Sequence, residues 1–226
     1  MATLVLGGSG GIGKEVMKHF PEAIDWSLKT AVDLAFTESI SKVAMELVTL
    51  KATRFKRVIN CAGTNALFPF DELKPYTLQD TMDCNAFALP WVIQALRANA
   101  LIFDGAVICN VISNAAHVPM THSLAYNASK AAQEMITRQM ARELKEYVIF
   151  GVNPNKIAGT NMSLSIAERV CKLRGWTPEE AIKYQLAALP AGVETPAASL
   201  AAFIAELMKP IHHPYITGCI FPYGGP

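Results

Sequence analysis

Residues 2–20 read ATLVLGGSGGIGKEVMKHF, and this stretch decides the fold. Its first five residues form a short apolar run, as expected of a buried parallel strand. The glycine-rich run from Gly7 to Gly13 follows directly, and residues 14–20 have helical character. A strand, a glycine-rich turn and a helix in this order are typical of nucleotide binding, because glycines let backbone amides approach a pyrophosphate and the helix N-terminus favours an anion. A turn that binds nothing is the alternative.

A second pattern lies in the string YNASK at residues 126–130. Tyr126 and Lys130 are four residues apart and therefore lie on one face of a helix. A phenol with a pKa of about 10 is a poor acid–base catalyst near neutrality, and a nearby ammonium group would favour its phenolate form. Ser113, at the end of a predicted strand, could hold a carbonyl oxygen while the phenol protonates it. Taken alone, the pair is weak evidence, because most such pairs occur by chance on solvated helix faces.

Together with further motifs in the same order, these patterns make nearly the whole chain resemble the short-chain dehydrogenase/reductase family. The glycine turn matches with Leu6 in place of a threonine, and Asn60-Cys61-Ala62-Gly63 matches the motif that follows the family's fourth strand. Asn85, Ser113, Tyr126 and Lys130 match the catalytic set, and residues 215–218 with Gly224-Gly225 match the closing strand. The resemblance implies an α/β fold, a Rossmann-like doubly wound parallel sheet flanked by helices, in a single domain spanning residues 1–226.

Composition narrows the class of protein. Apolar residues make up 51% of the 226 positions, charged residues make up 17%, and the formal net charge is +1. Without a basic cluster we expect no nucleic-acid partner, and without 18 consecutive apolar residues we expect no membrane span. Because the first predicted strand begins at the N-terminus, we expect no signal peptide. The five cysteines show no metal-binding spacing, which predicts reduced thiols, no metal and a cytoplasmic location.

Strands and helices alternate along the sequence, as in a doubly wound sheet. The predicted strands cover residues 3–6, 23–26, 57–60, 105–112, 147–152 and 216–221. The predicted helices cover residues 11–20, 37–50, 76–99, 124–146, 161–172, 178–187 and 195–208. Thr177-Pro178 and Thr195-Pro196 are helix start signals, since proline suits the first helical position after a threonine cap.

The resemblance also implies roles for particular residues. The implied catalytic residues are Asn85, which would bind a water of a proton relay, Ser113, Tyr126 and Lys130. The implied cofactor-binding residues are Gly7, Ser9, Gly10, Gly11, Ile12 and Gly13 at the pyrophosphate, Asp33 at the adenine, Asn60, Ala62 and Gly63 at the adenosine ribose, and Tyr126, Lys130 and Thr160 at the nicotinamide end. For Asp33, a role in capping the next turn is the alternative.

The choice between NAD and NADP depends on the end of the second strand. If Asp25 ends this strand, its carboxylate would bind the ribose 2′-hydroxyl and favour NAD. If the strand continues to Ser27, then Ser27 and Lys29 could hold a 2′-phosphate. Ser27 lies nearer the C-terminal edge of the sheet, where ligands bind, so the sequence favours NADP.

The substrate side gives weaker signals. Asn155 replaces a glycine of the family pattern and, as a residue that tolerates positive φ, would preserve the turn. The segment from Asn161 to about Leu189 is expected to cover the substrate with apolar side chains. We therefore predict an NAD(P)-dependent oxidoreductase that interconverts a carbonyl and a secondary alcohol, with Tyr126 as acid and base. Its predicted substrate is a small or apolar ketone of 3-oxoacyl type.

The sequence also leaves alternative functions open and predicts the partners of the chain. A redox-sensing regulatory protein of the same fold is the main alternative, and dehydration or epimerisation on this fold is a further one. The family commonly forms tetramers, so we expect a homo-oligomer, either a dimer or a tetramer. Beyond a second copy of the chain, the only partner expected is the small-molecule substrate.

Overall fold

The computed structural model describes residues 2–49 and 54–225 and contains one main parallel sheet. Its six strands lie in the order β2-β1-β3-β4-β5-β8. They are β1 (Ala2–Leu6), β2 (Ile24–Trp26), β3 (Phe55–Asn60), β4 (Ile102–Val111), β5 (Val148–Pro154) and β8 (Ile220–Tyr223). Two short strands, β6 (Ile157–Ala158) and β7 (Thr195–Pro196), pair separately. The doubly wound architecture predicted from the sequence is confirmed.

Helices cover both faces of this sheet. They are α1 (Gly11–His19), α2 (Thr37–Thr49), α3 (Pro75–Met82), α4 (Ala88–Ala98), α5 (Leu124–Glu143), α6 (Asn161–Arg174), α7 (Pro178–Ala187), α8 (Ala197–Leu207) and α9 (His213–Ile216). Residue 50, the last of the second predicted helix, lies outside the described residues. Within the described part of the chain, no helix is both long enough and apolar enough to cross a membrane.

The core has two layers because side chains of a strand alternate between the faces of the sheet. In β1, Leu4 and Leu6 pack with α2 and α4, whereas Val5 packs with Val16 of α1 and Leu200 of α8. All of these side chains are fully buried. The run of apolar residues in β1 is therefore explained by burial on both faces.

Three predicted elements differ from the structure. The helix predicted over 76–99 contains a π-helical turn at Asp83–Phe87, which separates α3 from α4. The strand predicted over 216–221 begins only at Ile220, because residues up to Ile216 form α9. Thr195 does not cap the following helix: it pairs with Ile157 in a short strand, and Pro196 is the N-cap of α8.

The topology brings the candidate site residues to one edge of the sheet. All six strands are parallel, so their carboxyl ends lie at the same edge. The glycine turn, Ser27, Cys61 and Ser113 all follow strand ends at this edge. The chain leaves β1 toward β2 on one side and returns to β3 on the other, and such a switch point is where ligands bind in open α/β sheets.

Candidate active site

The glycine-rich turn between β1 and α1 is built on close backbone contacts. Gly7 has a φ of 73°, and a Cβ at this position would lie 2.9 Å from the Cα and backbone nitrogen of Ala62. A Cβ on Gly13 would lie only 2.1 Å from the carbonyl oxygen of Gly7. Only glycine fits at these two positions, because a side chain at residue 7 would push the turn away from Ala62 and one at residue 13 would push the helix away from Gly7.

The N-terminus of α1 is open toward the same edge. Its N-cap is Gly10, and no side chain caps the helix. The first amides of a helix lack intrahelical acceptors and carry the positive end of the helix dipole. The turn and the first residues of α1, including Ser9, Gly11 and Ile12, therefore suit the phosphates of a dinucleotide.

Asp25 is joined to the glycine turn by hydrogen bonds. Its carboxylate accepts from the backbone amide of Gly8 at 2.7 Å and from the Ser27 hydroxyl at 2.9 Å. Ser27 is buried at the end of β2, whereas Lys29 is exposed in the 3-10 turn that follows. The Asp25 carboxylate therefore lies beside the glycine turn. The Ser27 hydroxyl, which was predicted to hold a 2′-phosphate, donates to this carboxylate instead.

Two further predicted cofactor residues have structural partners of their own. Asp33 lies outside any strand, and its carboxylate accepts from the amide of Ala35 at 3.0 Å, as a turn-capping residue does. Thr160 caps α6 by accepting from the Ser163 amide at 3.1 Å. Thr160 also packs on the glycine turn, since a Cβ on Gly11 would lie 2.5 Å from its methyl group.

Ser113 and Tyr126 are brought together by a clamp between their loop and α5. The side-chain amide of Asn127, next to Tyr126, donates to the carbonyl oxygens of Ala115 at 2.6 Å and Val118 at 2.8 Å. The Ser113 hydroxyl also accepts from the Ala115 amide at 3.2 Å, which fixes the start of the loop. The string YNASK therefore supplies both the phenol and the residue that holds the serine loop against it.

The electrostatics of Tyr126 differ from the sequence-based expectation. Burial raises the pKa of the Tyr126 phenol, and a hydrogen bond from the Ser113 side chain partly opposes this shift. The ammonium nitrogen of Lys130 lies 5.7 Å from the centroid of the Tyr126 ring and donates instead to Gln133 at 2.7 Å. In this structure burial therefore dominates the pKa of the phenol, which is neutral near pH 7, and the lowering of this pKa by Lys130 stays a prediction.

Lys130 is almost fully buried, with 4% of its surface exposed. Burial lowers the pKa of its ammonium group to about 8, and the nearby thiols of Cys84 and Cys61 oppose this shift. A Cβ on Gly63 would lie 3.5 Å from the Lys130 nitrogen and 3.3 Å from the side-chain oxygen of Asn85. Lys130 and Asn85 thus lie side by side beneath the segment that follows β3.

Asn85 is fully buried in the π-helical turn and is saturated with protein partners. Its side-chain oxygen accepts from the Thr64 amide at 2.8 Å. Its side-chain amide donates to the Thr64 carbonyl and to the Ser129 hydroxyl, each at 2.9 Å. Both hydrogens of the side-chain amide are thus used, and Asn85 joins the segment after Gly63 to α5. Its role in binding a water of a proton relay stays a prediction.

Comparison with known proteins supports the interpretation of these motifs. The family model described as short chain dehydrogenase matches residues 27–170, which is more than half of the chain. The chain belongs to the short-chain dehydrogenase family. The resemblance inferred from the sequence is thereby confirmed, and this is a family of NAD(P)-dependent oxidoreductases.

Individual members of the family are distant relatives. The chain is 26% identical over 168 residues to a 2,3-dihydroxy-2,3-dihydro-p-cumate dehydrogenase from Pseudomonas putida; the match covers 74% of this chain and 62% of that relative. It is 25% identical over 178 residues to an NAD-dependent glycerol dehydrogenase from Listeria innocua, covering 70% of this chain and 68% of the relative. A crystal structure of L-sorbose reductase from Gluconobacter frateurii, complexed with NADPH and L-sorbose, shares the fold, with a TM-score of 0.83, 19% identity and coverage of 99% of this chain and 95% of that one.

Sequence reasoning on this short-chain dehydrogenase missed a buried polar network beneath α5. The fully buried side chain of Asn110 in β4 accepts from the side-chain amides of Asn60 at 2.9 Å and Gln133 at 2.6 Å. Asn110 donates to the Thr137 hydroxyl at 2.8 Å. The sequence carries one signal of this network: polar residues occur in a strand and on one helix face, and the predicted fold buries both.

On the substrate side of the short-chain dehydrogenase fold, the prediction for the turn at Asn155 is wrong. Asn155 does not adopt a positive φ; its side-chain oxygen accepts from Asn114 at 3.0 Å and from the Lys156 amide at 2.9 Å. The turn after β5 is therefore held by side-chain hydrogen bonds rather than by a left-handed residue. The segment Asn161–Leu189, here called the lid segment, contains α6 and α7, and Arg169 of α6 donates to the Leu67 carbonyl at 3.2 Å.

Proposed function

We propose that this protein is a nicotinamide-dependent oxidoreductase that interconverts a secondary alcohol and a carbonyl, with Tyr126 as the proton donor and acceptor. The observation that carries the proposal is the convergence of the Ser113 hydroxyl on the buried Tyr126 phenol, with the Lys130 nitrogen 5.7 Å from the centroid of the phenol ring. This trio lies at the same sheet edge as the glycine turn. Family membership supports the oxidoreductase class.

The glycine turn fits a dinucleotide. The close approach of Gly7 to Ala62 and of Gly13 to Gly7 leaves a side-chain-free cradle in front of an uncapped helix N-terminus. Gly7, Gly11, Gly13 and the amides of α1 would hold the pyrophosphate, and Asn60, Ala62 and Gly63 would border the adenosine. When bound, a nicotinamide supplies the hydride that the protein's own side chains cannot provide.

The protein's side chains supply the proton and the orientation. Ser113 would donate a hydrogen bond to the substrate oxygen and so hold it next to the Tyr126 hydroxyl. Because burial raises the pKa of Tyr126, its phenol is protonated near pH 7, which is the form that gives a proton to a carbonyl oxygen. In the oxidative direction the phenol would first lose its proton to solvent, and the Tyr126 phenolate oxygen would then take up the hydroxyl proton of the alcohol.

Asp25 bears on cofactor choice. A carboxylate held next to the glycine turn by Gly8 and Ser27 would accept from ribose hydroxyls and repel a 2′-phosphate. This supports NAD(H), whereas the exposed Lys29 and the sequence-based argument favour NADP(H). Because Ser27 already donates to Asp25, we propose NAD(H) as the preferred form.

The substrate class is a small carbonyl or secondary alcohol. The relatives named for a dihydrodiol and for glycerol point to vicinal diols as the alcohols to test beside the predicted 3-oxoacyl ketones. Nothing in the comparisons supports a redox-sensing regulator. The predicted homo-oligomer and cytoplasmic location stay predictions; the exposed Trp91 of α4 and Met135 of α5 favour contact with a second copy.

The test is a titration of the wild type and Tyr126→Phe with NADH and NADPH, followed by nicotinamide fluorescence, and then an assay with ketones and vicinal diols. We expect both proteins to bind NADH with similar affinity and Tyr126→Phe to lose turnover by about 10²- to 10⁴-fold. Failure of both nucleotides to bind would overturn the proposal. Tighter binding of NADPH would overturn the role of Asp25, and retained turnover in Tyr126→Phe would overturn the role of Tyr126.

A further inference from the structure

The only hydrogen bond of the Lys130 ammonium group among the described residues goes to a side chain that the proposed reaction does not use. Lys130 donates to the side-chain oxygen of Gln133 at 2.7 Å, and Gln133 is fully buried. The two residues are separated by three positions, nearly one turn of α5, so their side chains share a face. A buried glutamine needs partners for both ends of its amide.

The orientation of the Gln133 amide is set by its neighbours. Its nitrogen donates to Asn110 at 2.6 Å and to the Val111 carbonyl at 3.3 Å. A backbone carbonyl can only accept, so the Gln133 nitrogen must face Val111 and its oxygen must face Lys130.

Asn110 imposes the same orientation from two directions. The Ala62 amide donates to the Asn60 oxygen at 3.1 Å, so Asn60 presents its nitrogen to the Asn110 oxygen. Thr137 gives its proton to the Gln133 backbone carbonyl at 2.7 Å, so its oxygen must accept from the Asn110 nitrogen. Both constraints leave the Asn110 oxygen as an acceptor for Gln133, and the Gln133 oxygen is therefore always offered to Lys130.

We propose that Gln133 positions Lys130: its side-chain oxygen holds the ammonium group in one direction beside Gly63 and favours the charged form of the lysine. This inference rests on the proposed function, in which Lys130 acts next to Tyr126. Gln133 touches none of the predicted reacting groups itself, so it is a positioning residue that acts through Lys130.

The charge of Lys130 depends on few other groups. The titratable groups that face it are the phenol of Tyr126 on its own helix and the thiols of Cys61 and Cys84 on the segments packed against it. Burial raises the pKa of Cys61 to about 12, so this thiol is neutral near pH 7. Burial also raises the pKa of Cys84. Among the described residues, the Gln133 oxygen is the one hydrogen-bond acceptor of the ammonium group.

The experiment follows the titration of Lys130 directly, without a cofactor. Lysine labelled with ¹³C at Cε is incorporated, and the Lys130 signal is assigned by its loss in Lys130→Met. We expect a wild-type midpoint near pH 8. In Gln133→Met the midpoint should fall by about one pH unit, because an apolar side chain cannot accept from the ammonium group. Gln133→Asn, whose amide is one methylene shorter, should move it in the same direction.

Thr137→Val is the matched control. It removes two buried hydrogen bonds from the same network, those with Asn110 and with the Gln133 backbone carbonyl. Asn60 still orients Asn110, so the Lys130 midpoint should stay at the wild-type value while stability falls. Unchanged midpoints in Gln133→Met and Gln133→Asn would overturn the proposal, and so would equal shifts in all three variants. Nicotinamide binding is measured separately: shifted midpoints without NADH or NADPH binding would overturn the proposed function and leave the action of Gln133 on Lys130 standing.

Discussion

The helices α5 and α6 both border the candidate active site, yet their relation to the rest of the molecule differs. Of the eight buried residues of α5, six are polar: Tyr126, Ser129, Lys130, Gln133, Glu134 and Thr137. In contrast, α6 has no buried residue and is joined to the domain by single contacts such as that of Arg169 with Leu67. One helix is fixed by hydrogen bonds to the sheet, and the other covers the site from outside.

This difference suggests a division of roles in which α5 holds the proton-transfer groups and the lid segment selects the substrate. A buried, satisfied polar network allows one arrangement, because any rotation leaves polar atoms without partners. The proton-transfer groups are therefore held in place before a substrate arrives. A segment with few buried contacts opens locally at low free energy, as ligand-covering segments commonly do. The lid segment is therefore where substrate entry and selection are expected.

The largest effect should follow from removing the centre of the α5 network. Asn110→Leu takes the acceptor away from Asn60 and Gln133 and leaves two buried donors in an apolar setting. We expect the free energy of unfolding to fall by about 4 kcal/mol, measured by urea denaturation. Thr137→Val, which removes the hydroxyl's bonds with Asn110 and with the Gln133 carbonyl, should lower it by about 1.5 kcal/mol. A loss no greater than that of Thr137→Val would show that the network does not hold α5.

The next largest effect is expected from Lys130→Met, which should raise the free energy of unfolding rather than lower it. Burial lowers the pKa of Lys130 from 10.5 to about 8, so between these pH values the unfolded chain binds more protons than the folded one. Stability from this group therefore rises as the pH increases from about 8 to 10.5, and the full penalty acts below that window. Lys130→Met should raise the free energy of unfolding at pH 7 by about 2 kcal/mol.

This gain should shrink as the pH rises from about 8 and vanish above pH 10.5, where the lysine becomes neutral in both states. Lys130→Arg is the control, because it keeps a buried charge and should not stabilise the protein. If Lys130→Met destabilises at pH 7, the burial of this ammonium group is compensated by partners beyond Gln133. Stabilisation by the loss of a proposed active-site residue would show that this part of α5 is shaped for function at the expense of stability.

The sequence predicted the fold well because its signals are local. Apolar runs, the glycine turn and Thr177-Pro178 each lie within one element, and the α7 bounds of 178–187 were predicted correctly. The sheet edge shared by Gly7, Ser27, Asn60 and Ser113 follows from parallel strands alone. The sequence therefore indicated which residues lie at this edge of the sheet, and the structure agrees.

What the sequence did not reveal depends on contacts across long separations. Gln133 contacts Asn110, which lies 23 residues away on a strand, and no local pattern indicates that Gln133 accepts from the Lys130 ammonium group. The π-helical turn at Asn85 has no local sequence signal either. In this turn the Asn85 side chain contacts Thr64 and Ser129, which lie far from it in the sequence. Side-chain orientation within a buried network is a property of the assembled fold.

The smallest effect is expected in the lid segment and tests the other half of the comparison. The Thr177 hydroxyl accepts from the Glu180 amide at 3.3 Å, and the Glu180 carboxylate accepts from the Thr177 amide at 2.8 Å, so Thr177→Ala removes the side-chain cap of α7. We expect hydrogen exchange in residues 178–187 to accelerate about fivefold, as for a local loss of about 1 kcal/mol, with exchange in α5 unchanged. Thr177→Ser keeps the cap and should match the wild type. A global loss approaching that of Asn110→Leu would mean that the lid segment unfolds together with α5, and the proposed division between a fixed catalytic helix and a locally opening cover would be wrong.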